Sequence, residues 1–480
     1  MTLNEKDEGN GVLSLPVLGS GGGEADGPIV SFVSLGCAKN LVDSEVMLGM
    51  LAEAGCIISA DEDEADIIVV NTCGFLASGR DEVIEICSEL AERKRGGSLK
   101  RIVVAGCLVQ RDGEKLREHV PEIDALVGVN NRDDIVRAVV PGHKPKQAGE
   151  IDRYLGDYHT QAWSDRTRLR LTPQHYAYIR ISEGCNQKCT FCTIPSIRGP
   201  MHCKTPDELV GECRTLIEDG ARELILIGQD TTSYGEDIGY QGGLAGLLRR
   251  LDAECDGADW IRLMYVYPSI MTDEMIDAIA ECERVVKYID IPLQHINDRI
   301  LKAMNRRVTR RQTEDLLERI RTRIPGVTIR TTFIVGFPGE TEAEFQELIE
   351  FVRDFGFDAA GAFDFSPEPE TPAGRMKGRI DDEVIEQRHE RLMLTQQELA
   401  FAAAEQRVGQ VFDVLIDDED EHWWIGRHAG QAPEVDAVCL VEADKLETGE
   451  FVKVKCTEAD EYDLIVRPTS LRLATLPPVK

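Results

Sequence analysis

Residues 184–192 read GCNQKCTFC, and this stretch places three cysteines on one short loop. Cys185, Cys189 and Cys192 follow the spacing C-x3-C-x2-C. Thiolates are the soft ligands that iron–sulfur clusters use, and four cysteines usually complete the ligand shell. No fourth cysteine follows at a comparable spacing, since Cys203 lies beyond a proline-containing stretch. The loop therefore predicts a cluster with one open iron, where chemistry can take place.

The chain around this loop alternates between strand-like and helix-like patterns. Apolar runs typical of strands occur at residues 176–181, 223–227, 260–266, 286–291, 328–335 and 359–365. Amphipathic stretches lie between them, so the pattern predicts a barrel or partial barrel of βα repeats. The three-cysteine loop follows the first predicted strand, at the end where such barrels place active sites. This position favours a catalytic cluster over a plain electron carrier.

A second set of cysteines precedes the barrel. Predicted strands at residues 29–35, 67–70 and 102–105 alternate with helices, which indicates a parallel sheet. A cysteine follows each strand, with a glycine beside it: Cys37 with Gly36, Cys73 with Gly74, and Cys107 with Gly106. Open parallel sheets bind ligands outside the carboxyl ends of their strands. These cysteines therefore predict a second metal site, and the glycines predict close backbone approach there.

The last part of the chain changes character. Five short β-rich runs between residues 411 and 466 predict a small antiparallel barrel. The predicted fold is thus an open parallel α/β domain, a partial (β/α) barrel and a small β-barrel. The predicted domains are a disordered leader at 1–27, the first domain at 28–145, the partial barrel with its linker at 146–405, and the β-barrel at 406–474.

Composition limits the setting in which the protein works. The 480 residues carry a formal net charge of −32, which disfavours a large nucleic-acid surface and suits a basic protein partner, although solubility alone also explains it. No apolar run is long enough to span a membrane, so no membrane partner is expected. Six of the 14 cysteines lie in metal-type motifs, which favours a reducing cytoplasm. The other eight are expected to be buried small apolar side chains or idle thiols.

The loop spacing and its place after the first barrel strand resemble the radical S-adenosylmethionine superfamily. The cysteine-bearing domain before the barrel and the small β-barrel after it resemble the methylthiotransferases of that superfamily, over residues 28–474. The resemblance implies two [4Fe–4S] clusters and S-adenosylmethionine as cofactors, with a TRAM domain at the end. Cys185, Cys189 and Cys192 would hold the radical cluster, and Cys37, Cys73 and Cys107 the auxiliary cluster.

Three stretches, at residues 34–49, 180–195 and 288–307, resemble one branch of this family. That branch adds a methylthio group to the β-carbon of an aspartate in the twelfth small-subunit ribosomal protein. The competing branch modifies adenosine in transfer RNA, and it usually has Gln-Ser-Gly-Ser where this chain has Pro-Leu-Gln-His at 292–295. Residues 405–468 hold 17 acidic and 6 basic side chains, which suits a basic ribosomal protein better than a phosphate backbone.

The resemblance therefore implies a transferase acting on a basic ribosomal protein, free or on the ribosome, with an external electron donor and a sulfur donor. Transfer RNA remains the alternative substrate. A third alternative is a non-catalytic acidic protein that adapts the ribosome and uses its clusters structurally.

Candidate contacts for S-adenosylmethionine are predicted from position only. Gln229 and Asp230 follow the second barrel strand and are expected near the methionine part of the cofactor. Arg330 is expected to pair with its carboxylate, and Gly336 to let the backbone approach the adenosine. A role in a turn or behind the site is an equally open alternative for each. No catalytic side chain is assigned, because His295 is expected to be a hydrogen-bonded residue near the site.

Overall fold

The structure is a computed structural model that describes residues 27–74, 77–140, 151–158, 164–165 and 167–469. The predicted leader, apart from Gly27, and residues 470–474 of the predicted last domain lie outside the described residues. No helix in the described ranges is long and apolar enough to cross a membrane.

The first domain is built on six parallel strands in the order β2-β1-β3-β4-β5-β6. The strands are β1 Ile29–Ser34, β2 Ile57–Ile58, β3 Ile67–Thr72, β4 Arg101–Gly106, β5 Ala125–Gly128 and β6 Asp152–Tyr154. The helices are α1 Ala38–Glu53, α2 Ala77–Arg95, α3 Cys107–His119 and α4 Ile135–Val139, with a 3-10 helix at Glu62–Glu64 and another at Val129–Asp134. Strand β3 is buried along its whole length, as the predicted parallel sheet requires.

The central domain confirms the predicted partial barrel. Its six parallel strands form two three-stranded sheets that a parallel bridge between Ile261 and Val285 joins. The strands are β7 Tyr176–Arg180, β10 Glu223–Ile227, β11 Trp260–Leu263, β12 Tyr288–Asp290, β13 Thr328–Val335 and β14 Ala359–Asp364, and a small hairpin adds β8 Ser182–Glu183 and β9 His202–Cys203. Each barrel strand lies beside the next barrel strand in the sequence. The six strands therefore form one wall around a common interior.

The helices of this domain lie between and after the strands, and most of them pack against the outer face of the sheets. They are α5 Ile194–Ile197, α6 Pro206–Glu218, α7 Gly243–Glu254, α8 Asp273–Glu281, α9 Asp298–Ala303, α10 Arg310–Arg323, α11 Glu342–Phe355 and α12 Asp382–Arg407, with 3-10 helices at Pro268–Ile270 and Ala373–Arg375. Thr205, Thr309 and Thr341 each begin a helix with a capping box, which pairs backbone N–H groups that would otherwise lack partners. The predicted helices therefore begin where local sequence chemistry favours them.

The third domain is a closed barrel of five strands in the order β15-β16-β17-β19-β18. They are β15 Val411–Glu419, β16 Trp424–His428, β17 Cys439–Val441, β18 Phe451–Asp460 and β19 Asp463–Pro468. Four pairings are antiparallel as predicted, but β17 and β19 pair in parallel. The reason is that β18 returns beside β15 and not beside β17, so β19 closes the barrel in the same direction as β17.

The three domains share one apolar core inside the partial barrel. Leu41 and Val42 of α1 pack there with Tyr176 and Tyr178 of β7, and Ala432 of the third domain joins them. The first and third domains thus contribute apolar side chains to the interior of the partial barrel. This packing fixes both cysteine sets relative to each other.

Candidate functional site

The three-cysteine loop lies at the carboxyl end of β7, as predicted. The backbone N–H of Cys185 donates to the Gly199 carbonyl at 3.1 Å, and the N–H of Thr190 donates to the Met304 carbonyl at 3.0 Å. Gly184 has a φ of +77°, and a side chain there would collide with the Pro200 carbonyl. The loop is therefore held at both ends before any cofactor binds.

A cation and a phenol face the middle cysteine of the loop. The Cys189 Sγ lies 3.7 Å from the Tyr267 hydroxyl and 3.8 Å from Nη1 of Arg306. The Arg306 guanidinium lies 4.1 Å from the centre of the Tyr267 ring. Burial raises the pKa of Cys185 and the pKa of Cys192 to about 12, so these thiols stay protonated at neutral pH until a metal replaces the proton.

Several buried polar atoms around this loop have no hydrogen-bond partner. They are Ser182 Oγ, Thr193 Oγ1, Gln229 Oε1 and Arg306 Nε. Buried polar atoms in folded proteins are nearly always paired, so unpaired ones beside the cysteine loop are candidate contacts for a polar ligand. The donor set of this region, three thiols together with free hydroxyl, amide and guanidinium atoms, fits an iron–sulfur cluster with a polar organic cofactor.

The cysteines of the first domain follow three adjacent strands, and glycines bring their loops into contact. A Cβ added to Gly36 would lie 2.7 Å from the Cys73 Cβ. A Cβ added to Gly74 would lie 2.7 Å from the Leu108 Cα, next to Cys107. Any larger residue would separate the loops, so the predicted close approach is confirmed. Cys37 is accessible to solvent, Cys73 is half-buried and Cys107 is buried.

The surroundings shift the pKa values of the Cys37 and Cys107 thiols in opposite directions. Surrounding protein atoms act to raise the pKa of Cys37, but the Lys39 and Arg198 charges and nearby backbone N–H groups outweigh them and lower it. For Cys107, burial dominates and raises the pKa to about 11, although Arg198 opposes it. No group of three His, Cys, Asp or Glu side chains in the described residues is arranged to hold a single metal ion. Cluster ligands need not converge in that way, because each cysteine binds a different iron.

One short stretch of chain connects the two cysteine sets. After Cys192, helix α5 leads to Arg198, whose Nε donates to the Cys107 Sγ at 3.2 Å. Ile197 packs with Cys107 and Val129 in a small apolar cluster. The Ile197–Arg198 segment, which ends six residues beyond Cys192, therefore forms a wall of the Cys107 site.

Behind that wall lies a buried ionic network from both domains. Asp43 of α1 binds the guanidinium groups of Arg132, Arg180 and Arg198. Glu183 binds Arg180 and Arg198, each at 2.8 Å. Buried charges persist only where they are paired in this way, so the network fixes the orientation of the first domain on the barrel.

The structure brings Gln229 and Asp230 to the site in different roles. Gln229 donates to Glu183 at 2.9 Å and leaves its Oε1 free beside the loop. Asp230 accepts from the N–H groups of Thr232 and Ser233, from the Ser233 hydroxyl, and from Gln187 of the cysteine loop at 2.9 Å. Asp230 therefore shapes a turn and holds the loop, and Gln229 is the one with an atom available for a ligand.

Arg330 and Gly336 are occupied with protein contacts. Arg330 pairs with Asp290 at 2.9 Å and with Asp436 of the third domain at 3.4 Å. The Gly336 N–H donates to Glu340 at 2.7 Å, and a side chain at this position, where φ is +77°, would meet Ile385 of α12. A cofactor carboxylate at Arg330 would share the guanidinium with these two protein carboxylates. His295 is fully buried and hydrogen-bonded to Glu340, in line with the expected supporting role.

Sequence reasoning missed the charged and aromatic residues around the cysteines. Arg198 and Tyr267 lie in segments without a motif, and Arg306 lies in the stretch 288–307, which carried only a family resemblance. Nothing in the sequence distinguishes a buried arginine from an exposed one. Tyr265 adopts a φ of +62°, and Lys39 lies over its ring at 3.3 Å from the centre. Strain of this kind concentrates at functional sites, but only the backbone reveals it.

Comparison with protein families divides the chain as the structure does. Residues 29–128 match the uncharacterized protein family UPF0004, residues 179–352 match the radical SAM superfamily, and residues 408–468 match the TRAM domain. These matches confirm the predicted family and fold, and with them an enzyme that uses iron–sulfur clusters and S-adenosylmethionine.

Solved structures share the fold at low sequence identity. A radical S-adenosylmethionine methyltransferase, TsrM from Kitasatospora setae, with tryptophan and a cofactor analogue bound, aligns with a TM-score of 0.52 and 16% identity, covering 72% of this chain and 75% of that one. The same enzyme with cobalamin and a [4Fe–4S] cluster bound aligns with a TM-score of 0.51 and 15% identity, covering 72% and 74%.

Curated relatives match along nearly the whole chain. The ribosomal protein uS12 methylthiotransferase RimO of Trichlorobacter lovleyi is 42% identical, covering 91% of this chain and 97% of its own. RimO of Clostridium botulinum is also 42% identical with the same coverage, and RimO of an Anaeromyxobacter species is 43% identical over 90% and 92%. The chain therefore belongs to the family of ribosomal protein uS12 methylthiotransferases.

Proposed function

We propose that this protein adds a methylthio group to the β-carbon of an aspartate in the ribosomal protein uS12. The observation that supports the proposal is the link between the two cysteine-bearing segments, where Arg198, six residues beyond Cys192, donates to the Cys107 sulfur. A sulfur-insertion reaction needs a radical source and a sulfur source within reach of one substrate carbon. Two cysteine triads linked by this segment would supply that arrangement.

The residue roles follow from the two triads. Cys185, Cys189 and Cys192 would hold the cluster with the open iron, and Cys37, Cys73 and Cys107 would hold the auxiliary cluster. When bound, the first cluster and S-adenosylmethionine supply a 5′-deoxyadenosyl radical, and the auxiliary cluster supplies sulfur. Arg306 and Tyr267 lie against the half-buried Cys189, and the glycines let the loops that carry the auxiliary thiols approach each other.

Atoms that lack partners define the proposed cofactor contacts. Gln229 Oε1, Ser182 Oγ and Thr193 Oγ1 are placed to bind polar groups of S-adenosylmethionine. Asp230 acts indirectly, because its oxygens hold the turn and Gln187. Gly336 keeps the end of β13 close to α12, and Arg330 would share its guanidinium between the cofactor carboxylate and its two protein carboxylates.

The third domain is the proposed contact for the substrate. Asp418, Glu419 and Glu421 are exposed at one turn of its barrel. A basic ribosomal protein would meet this acidic surface favourably, whereas the phosphates of transfer RNA would be repelled. Transfer RNA is therefore the less favoured substrate. We further propose a cytoplasmic location, external electron and sulfur donors, and the domain boundaries inferred from the sequence.

The test compares the two candidate substrates in separate reactions under anaerobic conditions. Reconstituted protein, S-adenosylmethionine and a reductant are incubated with purified uS12 and, separately, with transfer RNA. We expect uS12 to gain about 46 Da, the replacement of one hydrogen by SCH3, and transfer RNA to stay unchanged. The Cys189→Ala variant is the control and should produce no mass gain.

Modification of transfer RNA alone would overturn the uS12 assignment. Absence of S-adenosylmethionine cleavage by the reduced, iron-loaded protein would favour a structural adaptor instead.

A further inference from the structure

The Arg198 side chain donates four hydrogen bonds, a combination that no other residue in the described part of the chain makes. Its Nε donates to the Cys107 Sγ at 3.2 Å, and its Nη1 donates to Glu183 at 2.8 Å. Its Nη2 donates to the Asn40 Oδ1 at 2.6 Å and to Asp43 at 2.9 Å. Three of these partners belong to the first domain, and Arg198 itself follows the cysteine loop of the barrel.

Burial strengthens the charge interactions of this guanidinium. Arg198 is 1% exposed, Glu183 5% and Asp43 2%, so solvent does not screen the charges. The planar fork of an arginine serves several acceptors in fixed directions, which an ammonium group cannot do. Asn40 is held in turn, because its Nδ2 donates to the Leu35 and Thr72 carbonyls. The guanidinium is therefore fixed relative to the Cys107 sulfur.

Hydrogen bonds and positive charge at a ligating sulfur stabilise the reduced form of an iron–sulfur cluster, because that form carries more negative charge. Resting on the proposed role of Cys107 as a ligand, we propose that Arg198 is a positioning residue that sets the reduction potential of the auxiliary cluster from the radical domain. The same side chain binds Glu183, which Gln229 contacts beside the cysteine loop at 2.9 Å. The potential of one site is thus linked to the structure of the other.

Arg180 offers a matched control within the same network. It is 2% exposed and binds Asp43 and Glu183, as Arg198 does. Its remaining partner is Asp165, and within the described residues its hydrogen bonds reach no cysteine. Arg180→Lys therefore disturbs the ionic network to a similar degree without touching the Cys107 sulfur.

The experiment uses the full chain with Cys185, Cys189 and Cys192 all changed to Ala, so that only the auxiliary cluster forms. Into this parent we introduce Arg198→Lys or Arg180→Lys. We measure the iron content of each variant. We also measure the midpoint potential of the cluster by a redox titration that electron paramagnetic resonance monitors. We expect a more negative potential in Arg198→Lys and an unchanged potential in Arg180→Lys, with about four irons per chain in each.

Every outcome either supports or contradicts the role proposed for Arg198. Loss of the cluster from Arg198→Lys alone also supports the assignment, since it separates the sulfur contact from the network. The proposal is overturned if the potential shifts equally in both variants or if both variants lose iron. It is also overturned if the potential of Arg198→Lys is unchanged. A parent that binds no iron contradicts the proposed function itself and not this inference alone.

A second measurement needs no substitution at Arg198. The parent is labelled with ¹⁵N in arginine, and pulsed electron paramagnetic resonance of the reduced cluster is recorded. A ¹⁵N coupling from the guanidinium is expected, and its absence would contradict the contact even where Arg198→Lys does not fold.

Discussion

Arg111 Nη2 and Glu368 Oε2 lie 2.5 Å apart, although 257 residues separate them in the chain. Arg111 belongs to α3, the helix that begins at Cys107, and its Nη1 also donates to the Gly74 carbonyl at 2.9 Å. Glu368 precedes Ala373, whose N–H donates to the Thr190 carbonyl in the other cysteine loop at 2.9 Å. This ion pair therefore clamps the two cysteine sites to each other.

Breaking this clamp should destabilise the protein. In Glu368→Gln, Arg111 and Arg80 both lose a nearly buried carboxylate while Arg111 keeps Asp112 and Glu370, so the loss of these charged hydrogen bonds should cost about 1.5–3 kcal/mol. We expect a lower urea midpoint and less iron in the auxiliary site. Glu370→Gln is the matched control, because Glu370 pairs with the same Arg111 but is 45% exposed, so its loss should cost at most about 1 kcal/mol. Equal effects of both variants would contradict the clamp.

Single cysteine substitutions should separate the two half-reactions. Cys189→Ala should abolish S-adenosylmethionine cleavage, whereas Cys107→Ala should keep cleavage and lose methylthio transfer, because each would remove a proposed ligand of a different cluster. Iron should fall from about eight to about four per chain in each variant. Cys87→Ala, which removes a buried thiol on α2, should change neither activity. Loss of cleavage in Cys107→Ala would contradict this division.

The glycine beside Cys73 should tolerate no side chain. In Gly74→Ala the new Cβ would lie 2.7 Å from the Leu108 backbone, and relief of such overlap costs about 1–3 kcal/mol. We expect a lower melting temperature and weaker retention of the auxiliary cluster, measured by iron loss to a chelator. At Gly361 a Cβ meets nothing within 4 Å, so Gly361→Ala should behave as the wild type.

The acidic turn of the third domain should control substrate binding. Replacing Asp418, Glu419 and Glu421 by Lys is expected to weaken uS12 binding by at least about tenfold at low salt, with the difference shrinking as salt rises. Titration calorimetry at two salt concentrations measures both effects. The control reverses two exposed acidic residues on α12, Asp382 and Glu383, and should leave the affinity unchanged.

Docking of the third domain should depend on pH through Asp417. Burial acts to raise the pKa of Asp417, but its hydrogen bond with His175 and the charge of Arg427 lower it overall. A lowered folded-state pKa stabilises the protein above the unfolded value, near 4, and this stability is lost as pH falls through the folded value. Asp417→Asn should therefore be less stable than wild type at pH 7, and the gap should close on acidification.

Thermal unfolding from pH 7 down to pH 3 measures that gap. Asp413→Asn is the comparison, since Asp413 is 56% exposed and pairs with an exposed lysine, so it should show little difference from wild type at any pH. A constant gap for Asp417→Asn across the range would contradict the assignment.

Local sequence chemistry determined much of this protein. The spacing of Cys185, Cys189 and Cys192 predicted the cluster loop, and the strand that precedes it predicted its place at the end of β7. Strand-end cysteines with neighbouring glycines predicted the second triad, because parallel strands bring their carboxyl ends to one edge of a sheet. Capping threonines fixed the starts of three helices. All these features depend on residues close together in the chain.

Only the tertiary structure decided what lies between the two triads. Arg198 and Cys107 are 91 residues apart, and Arg111 and Glu368 are 257 apart, so their contacts depend on how the domains pack. It also showed that Arg330 is held by two carboxylates and that β17 pairs with β19 in parallel. The physical reason is that burial, charge pairing and strand closure are set by the whole folded chain, whereas ligand spacing is set by the local backbone.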